Sequence, residues 1–384
     1  MSRTWSRSLG IIAGLTLLLA FVAACTTPTP PPAEEENDVE EGLDLAGTWS
    51  LEGVGPNLAI DGPMSLAFAG STSGTARFLG RSERNGITTC RTYTFALIDD
   101  GLLLLQSSIV ASEAFVVTEV NEHELTLVSD VSDFTLSRVT GPAPVADCGL
   151  VDLDVVAQVD GRPTSVAALV GVGSRLYFNR LSSTNPLAGY DLTTNSTLSD
   201  RTFTHSVGGG IDRYVMAALD DDVFYGHCWC GAGNRFSAFN ATTNTHLVQV
   251  DSNADLGLPT NMRFGAYDQL VGKVWLGGRS STASDVNRLF LLDPVTLTLD
   301  SHRTILNGAS ITDLTVHEGV MYALLSSHSV VAIGADGRAT ATWSIPRNAV
   351  RGDLRGLATA AGSLYLMMDD WHAGETVLVA LTLE

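Results

Sequence analysis

The stretch YGHCWCGAGN packs His227, Cys228, Trp229 and Cys230 into four consecutive positions, the densest set of metal-binding and thiol side chains in the chain. Imidazole and thiolate together suit zinc or copper, yet a metal site needs about four ligands at defined spacing, and these two cysteines have no second pair to join. An active dithiol is Cys-x-x-Cys, with one more residue between the thiols than here. The acidic clusters Asp220-Asp221-Asp222 and Asp99-Asp100 sit where hairpin turns belong, which turn chemistry explains without a calcium ion. In MMDDWHAGE, Asp369, Asp370, Trp371 and His372 follow an apolar strand, and a group of polar loops contributes His205, Asp212, Arg213, Asn261, Arg263, Arg351 and Arg355. Mixed polar groups beside an indole suit a carbohydrate or peptide surface. Asp212, Asp353 and Asp369 could form the carboxyl pair of a glycan hydrolase or lyase if two of them stood about 5 to 9.5 Å apart. The chain has no Gly-x-Ser-x-Gly, phosphate loop or His-Glu-x-x-His, so no catalytic residue is assigned and no metal or cofactor is expected.

The elements that must position these residues repeat. GSRLYFN, DDVFYGH, GKVWLGG, GVMYALL and GSLYLMM align on Tyr177, Phe224, Trp275, Tyr322 and Tyr365, at spacings of 47, 51, 47 and 43. Each is followed by another apolar run, ending at Asp191, Asn240 and Asp293 in the first three units. Short strands at such a period indicate propeller blades. The fifth unit lacks an outer strand, and VDLDVVAQV, with apolar residues alternating at Val151, Leu153, Val155, Ala157 and Val159, can supply it and remove the last open edge. The reading is a five-bladed propeller over 148–384, closed by its own N-terminal strand. RLYFNRLSSTNPLAGYDLTTNSTLSD resembles the YVTN-type repeat of bacterial extracytoplasmic propellers, a resemblance that implies a fold and no particular chemistry. In that fold the candidate residues from His205 to His372 gather at one mouth.

Between Leu45 and Val139 eight short alternating runs are separated by turn residues such as Asn85-Gly86 and Asp99-Asp100-Gly101. Eight antiparallel strands lose their edges by closing into a barrel. LAGTWSLEG, with Gly47 and Trp49, and FTLSRV, with Arg138, resemble the two ends of a lipocalin-type barrel. The resemblance implies that Arg138 lies over Trp49 at the barrel floor, over residues 43–140; a small β-sandwich with Trp49 in its core fits the same pattern. Such a barrel holds one small lipophilic ligand or is filled by side chains.

The N-terminus sets the address. Arg3 and Arg7 precede the apolar run Leu9 to Ala24, too short to span a bilayer comfortably, which reads as an export signal over 1–24. Val22-Ala23-Ala24-Cys25 resembles the bacterial lipobox, which implies acylation of Cys25. Residues 25–42, TPTPPPAEEENDVEE at their centre, cannot bury enough surface to fold and read as a tether. Cys90, Cys148, Cys228 and Cys230 then form an even set in an oxidising compartment, with three pairings open; neighbouring cysteines favour Cys228 with Cys230, leaving Cys90 with Cys148.

The net charge of −20 repels nucleic acid and anionic headgroups. The expectation is therefore an all-β, monomeric lipoprotein, more a binder than an enzyme. Its membrane contact is the lipid on Cys25, and its partner is an envelope protein or polysaccharide met at the propeller face. It stands at the outer membrane of a Gram-negative cell, otherwise on the outer face of the cytoplasmic membrane. A glycan hydrolase or lyase on the propeller, or lipophilic carriage in the barrel, are the alternatives.

Overall fold

A computed structural model describes residues 43–51, 61–98, 101–106, 113–129, 133–143, 145–164, 168–181, 186–201, 213–230, 233–251, 261–279, 286–347, 350 and 352–384. The export signal, the tether and Cys25 lie outside them.

Eight strands form the first element: β1 (Gly47–Leu51), β2 (Met64–Ala69), β3 (Ser73–Arg81), β4 (Thr88–Ile98), β5 (Leu102–Gln106), β6 (Glu113–Val120), β7 (Glu124–Val128) and β8 (Asp133–Arg138). Each pairs with the next and β8 returns to β1, so the barrel is closed and the sandwich alternative falls. Alternation sends Trp49, Leu66, Phe68, Phe78, Tyr93 and Phe95 inward, all buried. Trp49 has no exposed surface and donates its indole N–H to Leu45 O at 2.9 Å. Directly opposite it in the ladder, Arg138 lays its guanidinium 4.6 Å from the ring centroid and donates to Ala46 O at 2.7 Å. The interior leaves a cavity of about 50 Å³. That is room for one or two waters, in a part of the barrel lined by Leu51, Phe78, Tyr93, Phe115 and Phe134.

The remaining strands form four sheets. β10 (Val170–Val172), β11 (Arg175–Asn179), β12 (Leu187–Asp191) and β13 (Ser196–Arg201) make the first; β14 (Arg213–Ala218), β15 (Val223–Cys230), β16 (Gly233–Asn240) and β17 (Thr245–Asp251) the second; β18 (Asn261–Asp268), β19 (Lys273–Arg279), β20 (Asn287–Leu292) and β21 (Leu299–Ile305) the third. The fourth is eight strands wide and joins two four-strand units. One is β22 (Ile311–His317), β23 (Val320–Leu325), β24 (Ser329–Ile333) and β25 (Ala339–Ser344). The other is β26 (Asp353–Ala360), β27 (Ser363–Asp370), β28 (Glu375–Leu383) and, from far upstream, β9 (Gly149–Asp160). The first strands of successive units lie side by side in a cycle, β10 against β14, then β18, β22, β26 and back to β10.

The aromatic residues that mark the repeat pair with residues of small or modest size on these inner strands: Tyr177 with Val170, Phe224 with Ala218, Trp275 with Ala266, Tyr322 with Thr315 and Tyr365 with Ala358. Bulk thus fills the space between sheets and stays off the axis. The polar turns after the third strands are Asx turns, in which Asp191 accepts from Thr193 and Thr194 N and Asp293 from Val295 and Thr296 N. The backbone amides of Thr296 and Val295 hold Asp293 down to about 2.

β9 lies antiparallel to β28, from Asp160 opposite Glu375 to Val151 opposite Leu383. Its burial departs from strict alternation: a bulge between Leu378 and Val379 leaves Val156 unpaired, so Val156 packs inward and Val155 is 63% exposed. The first residues of β9 also run parallel to β25.

Residues 43–384 form one compact unit, with the barrel resting on the outer strand of the fourth four-strand unit. Ala339 N donates to Asn85 O at 2.7 Å, Asn85 Nδ2 to Asn307 O at 2.8 Å and Thr88 N to Thr342 Oγ1 at 3.2 Å. Gly86, at φ +75°, is the residue this contact requires, since a Cβ there would stand 2.6 Å from Ala339 O. Cys90 in β4 is bonded to Cys148, just before β9, across a Cα separation of 6.1 Å. A bridge of this kind belongs to an oxidising compartment and fits an extracytoplasmic location. The side chains of Cys228 and Cys230 lie outside the described residues, although β15 runs through both as strand.

Candidate functional site

His205, Asp212 and Arg351 lie outside the described residues, and Arg213 and Asn261 are described in backbone only, as the first residues of β14 and β18. The residues with described side chains gather at one end of the ring. Inner strands begin there, and because β27 runs antiparallel to β26, Asp369 near its end stands opposite Asp353 at the start of β26. Arg263 is exposed at a bulge of β18 at the same end. Trp371 and His372 open the turn that follows β27, where Asp370 Oδ1 accepts from His372 N and Ala373 N, both at 3.1 Å. Trp371 is 52% exposed, its ring centroid 3.5 Å from that of His372.

Beneath this turn two carboxylates face each other across the ladder, an arrangement that repels unless bridged. Arg162, in the segment after β9, grips Asp369 with Nε and Nη2, each at 2.8 Å to a different oxygen. Arg355 Nη2 reaches Asp353 at 2.8 Å and Asp369 at 3.4 Å. Asp369 is 1% exposed, and the Arg162 hydrogen bonds hold its carboxyl below the usual carboxylate range despite burial. A general acid needs the opposite shift. Asp369, a candidate hydrolytic carboxylate by sequence, thus lacks the shift of a general acid, and its pair with Arg162 ties the segment after the closing strand to the last unit. His328 lies in the neighbouring turn at φ 63°, where burial lowers its pKa.

The other end of the axis gave no signal in the sequence. There the ends of the five inner strands and the turns after them enclose a cavity of about 550 Å³. Asp313 of β22 stands at its inner end, with no exposed surface, accepting from Leu169 N at 3.0 Å, Leu357 N at 2.9 Å and Leu314 N at 2.8 Å. One carboxylate thus ties together three of the five units. Burial pushes its pKa well above the carboxylate range, against the pull of the three amides.

Asp220 behaves as a turn residue, accepting from Asp222 N and Val223 N. Asp221 does more, accepting from Arg175 Nη1 at 2.8 Å and Tyr177 O–H at 2.6 Å in the preceding unit.

No protein-family model and no curated protein matches the chain. Among solved structures it is similar to a glutaminyl cyclase from Myxococcus xanthus (14% identity, 62% of this chain and 100% of that one, TM-score 0.45). It is similar to BamB from Moraxella catarrhalis (13%, 76% and 81%, TM-score 0.30) and to a putative oxidoreductase (glucose dehydrogenase) from Thermus thermophilus (10%, 60% and 100%, TM-score 0.37). At these scores the likenesses bear on neither activity nor partner.

Proposed function

We propose that this protein is a monomeric binding or scaffolding module of the cell envelope, anchored by lipid on Cys25, in which a lipocalin-like barrel rides on a five-bladed, YVTN-type β-propeller. The propeller end carrying Arg263, Trp371 and His372 engages an envelope polymer or protein. The observation that supports this reading is a half-exposed indole in a turn whose base is fixed by the ion pair of buried Asp369 with partly exposed Arg162. A large apolar surface held on a rigid frame loses little freedom on binding, which is how aromatic residues come to dominate recognition surfaces. The hydrolytic alternative has less support, because Asp353 and Asp369 are both engaged by arginines.

The test is cross-linking of the anchored protein in its own envelope, with the captured partner quantified. Trp371→Ala combined with Arg263→Ala is expected to reduce capture at least about tenfold, the loss of one good contact. Capture at wild-type strength rules this end out as the site. Cys25→Ser is expected to abolish incorporation of labelled palmitate, and continued labelling removes the anchor.

A further inference from the structure

The cavity at the other end of the axis is chemically a different place from the Trp371 turn. Asp353 and Ala360 bound the eight residues of β26, which at about 3.3 Å per residue separates the two ends by roughly 20 Å. Each of β10, β14, β18, β22 and β26 is the last strand of its sheet on the axial side, so five strand edges face the cavity with backbone N–H and C=O groups. Such groups require partners. Deep in the ring, side chains supply them: Asn179 Oδ1 takes Val215 N, and Asp313 takes three amides. Farther out the lining is small, with Gly171, Ala217, Ala266 and Ala360, and the edges open onto the cavity.

Among its lining residues, Thr315, Thr359, Tyr267, Gln269 and His317 carry neutral polar groups and Asp268 and Glu318 carry carboxylates, beside apolar Leu169, Leu219 and Leu270. Thr315 and Thr359 hold their hydroxyls 3.3 Å apart across two units, which leaves further donor and acceptor capacity on both. Asp268 is committed, accepting from Leu270 N, Val271 N and the Trp275 indole. Glu318 is exposed at the rim, in a two-residue turn at φ 50° before Gly319 at φ 79°. Such turns favour Asn-Gly, and the matching turn of the last unit is Ala361-Gly362, so the turn itself does not call for a carboxylate. No arginine or lysine is among the described lining residues, which disfavours an anion. A volume of about 550 Å³ is within the range of small-molecule sites.

We infer that this cavity is a second binding site, taking a small polyhydroxylated amine of mono- to disaccharide size, its hydroxyls on Thr315, Thr359 and the strand edges and its ammonium on Glu318. The probe is glucosamine, titrated calorimetrically into the full-length protein in a detergent without a sugar headgroup, with glucose and gluconate as comparisons. Saturable glucosamine binding is expected, weaker for glucose and absent for gluconate. Glu318→Gln should lower glucosamine affinity about tenfold, to the level of glucose, as for loss of a charged hydrogen bond. Thr315→Val with Thr359→Val should lower both by a similar factor while circular dichroism stays unchanged. Trp371→Ala should leave glucosamine binding intact. No saturable glucosamine binding, gluconate binding as tight as glucosamine, or loss in Trp371→Ala rather than in the threonine pair would each overturn the inference.

Discussion

The barrel and the ring of sheets are built from the same short alternating strands, yet one axis is full and the other hollow. In the barrel each strand turns a face to the axis, so every second side chain points inward and Trp49, Phe68, Phe78, Tyr93 and Phe95 leave about 50 Å³. In the ring each unit turns an edge to the axis. Side chains fill the gaps between sheets, where Tyr177, Phe224 and Phe239 pack, and the ends of the inner strands with their turns enclose about 550 Å³. What decides whether a closed β structure can hold a ligand is thus which side of the strand faces inward, more than how apolar the strands are.

The largest effect expected in the barrel is from Trp49→Ala, about 4 to 5 kcal/mol for a fully buried indole, read by chemical denaturation. A loss below about 1 kcal/mol would mean that the axis is not tightly filled. Reduction of Cys90–Cys148, 58 residues apart, should cost about 4 kcal/mol on the chain-entropy model and speed proteolysis at the barrel–ring contact. Proteolysis at an unchanged rate would indicate that the hydrogen bonds of Asn85 and Thr88 suffice to hold the barrel on the ring.

Two buried aspartates should give the ring an opposed pH response. Asp369 has a lowered folded pKa, so its contribution is present above the unfolded value near 3.9 and is lost as pH falls through the folded one. Asp313 has a raised folded pKa, so the stability tied to its proton is present below about 3.9 and is lost as pH rises through the folded value. Asp313→Asn, which cannot ionise and keeps an acceptor oxygen for Leu169 N and Leu357 N while losing the one for Leu314 N, is expected to flatten the fall in stability on the alkaline side. An unchanged denaturation profile between pH 4 and 8, roughly the window above the unfolded carboxylate value, would contradict that role. The smallest effect belongs to Trp371→Ala: within about 0.5 kcal/mol in stability, because the side chain is half-exposed, and visible mainly in partner capture.

Much of the fold was legible because it is written in side chains. The aromatic period marked the repeating strands, Gly47, Trp49 and Arg138 marked the barrel's two ends, and the alternation of 151–159 marked a strand that does pair with β28. The bulge that exposes Val155 was not legible, since it is set by the register of β28. Nor was the docking of the barrel, where Asn85-Gly86 reads as a plain turn and also grips the ring. Asp353, Arg355 and Asp369 stood out in the sequence as single polar residues, but the pairing that holds Asp369 was not legible: Arg162 lies 207 residues from it. The hollow axis had no signal because its lining residues come from five strand ends and turns that only the ring brings together, and Asp313 in ITDLTV looks like any polar strand residue until the ring brings Leu169 and Leu357 to it.

The contrast between the two axes is tested most directly by a high-resolution crystal structure with its ordered waters assigned. The expected result is a cluster of waters, or a polar ligand, hydrogen-bonded to the edges of β10, β14, β18, β22 and β26, and no more than one or two waters inside the barrel. A ring axis plugged by apolar side chains, or a barrel holding an elongated ligand, would contradict the account.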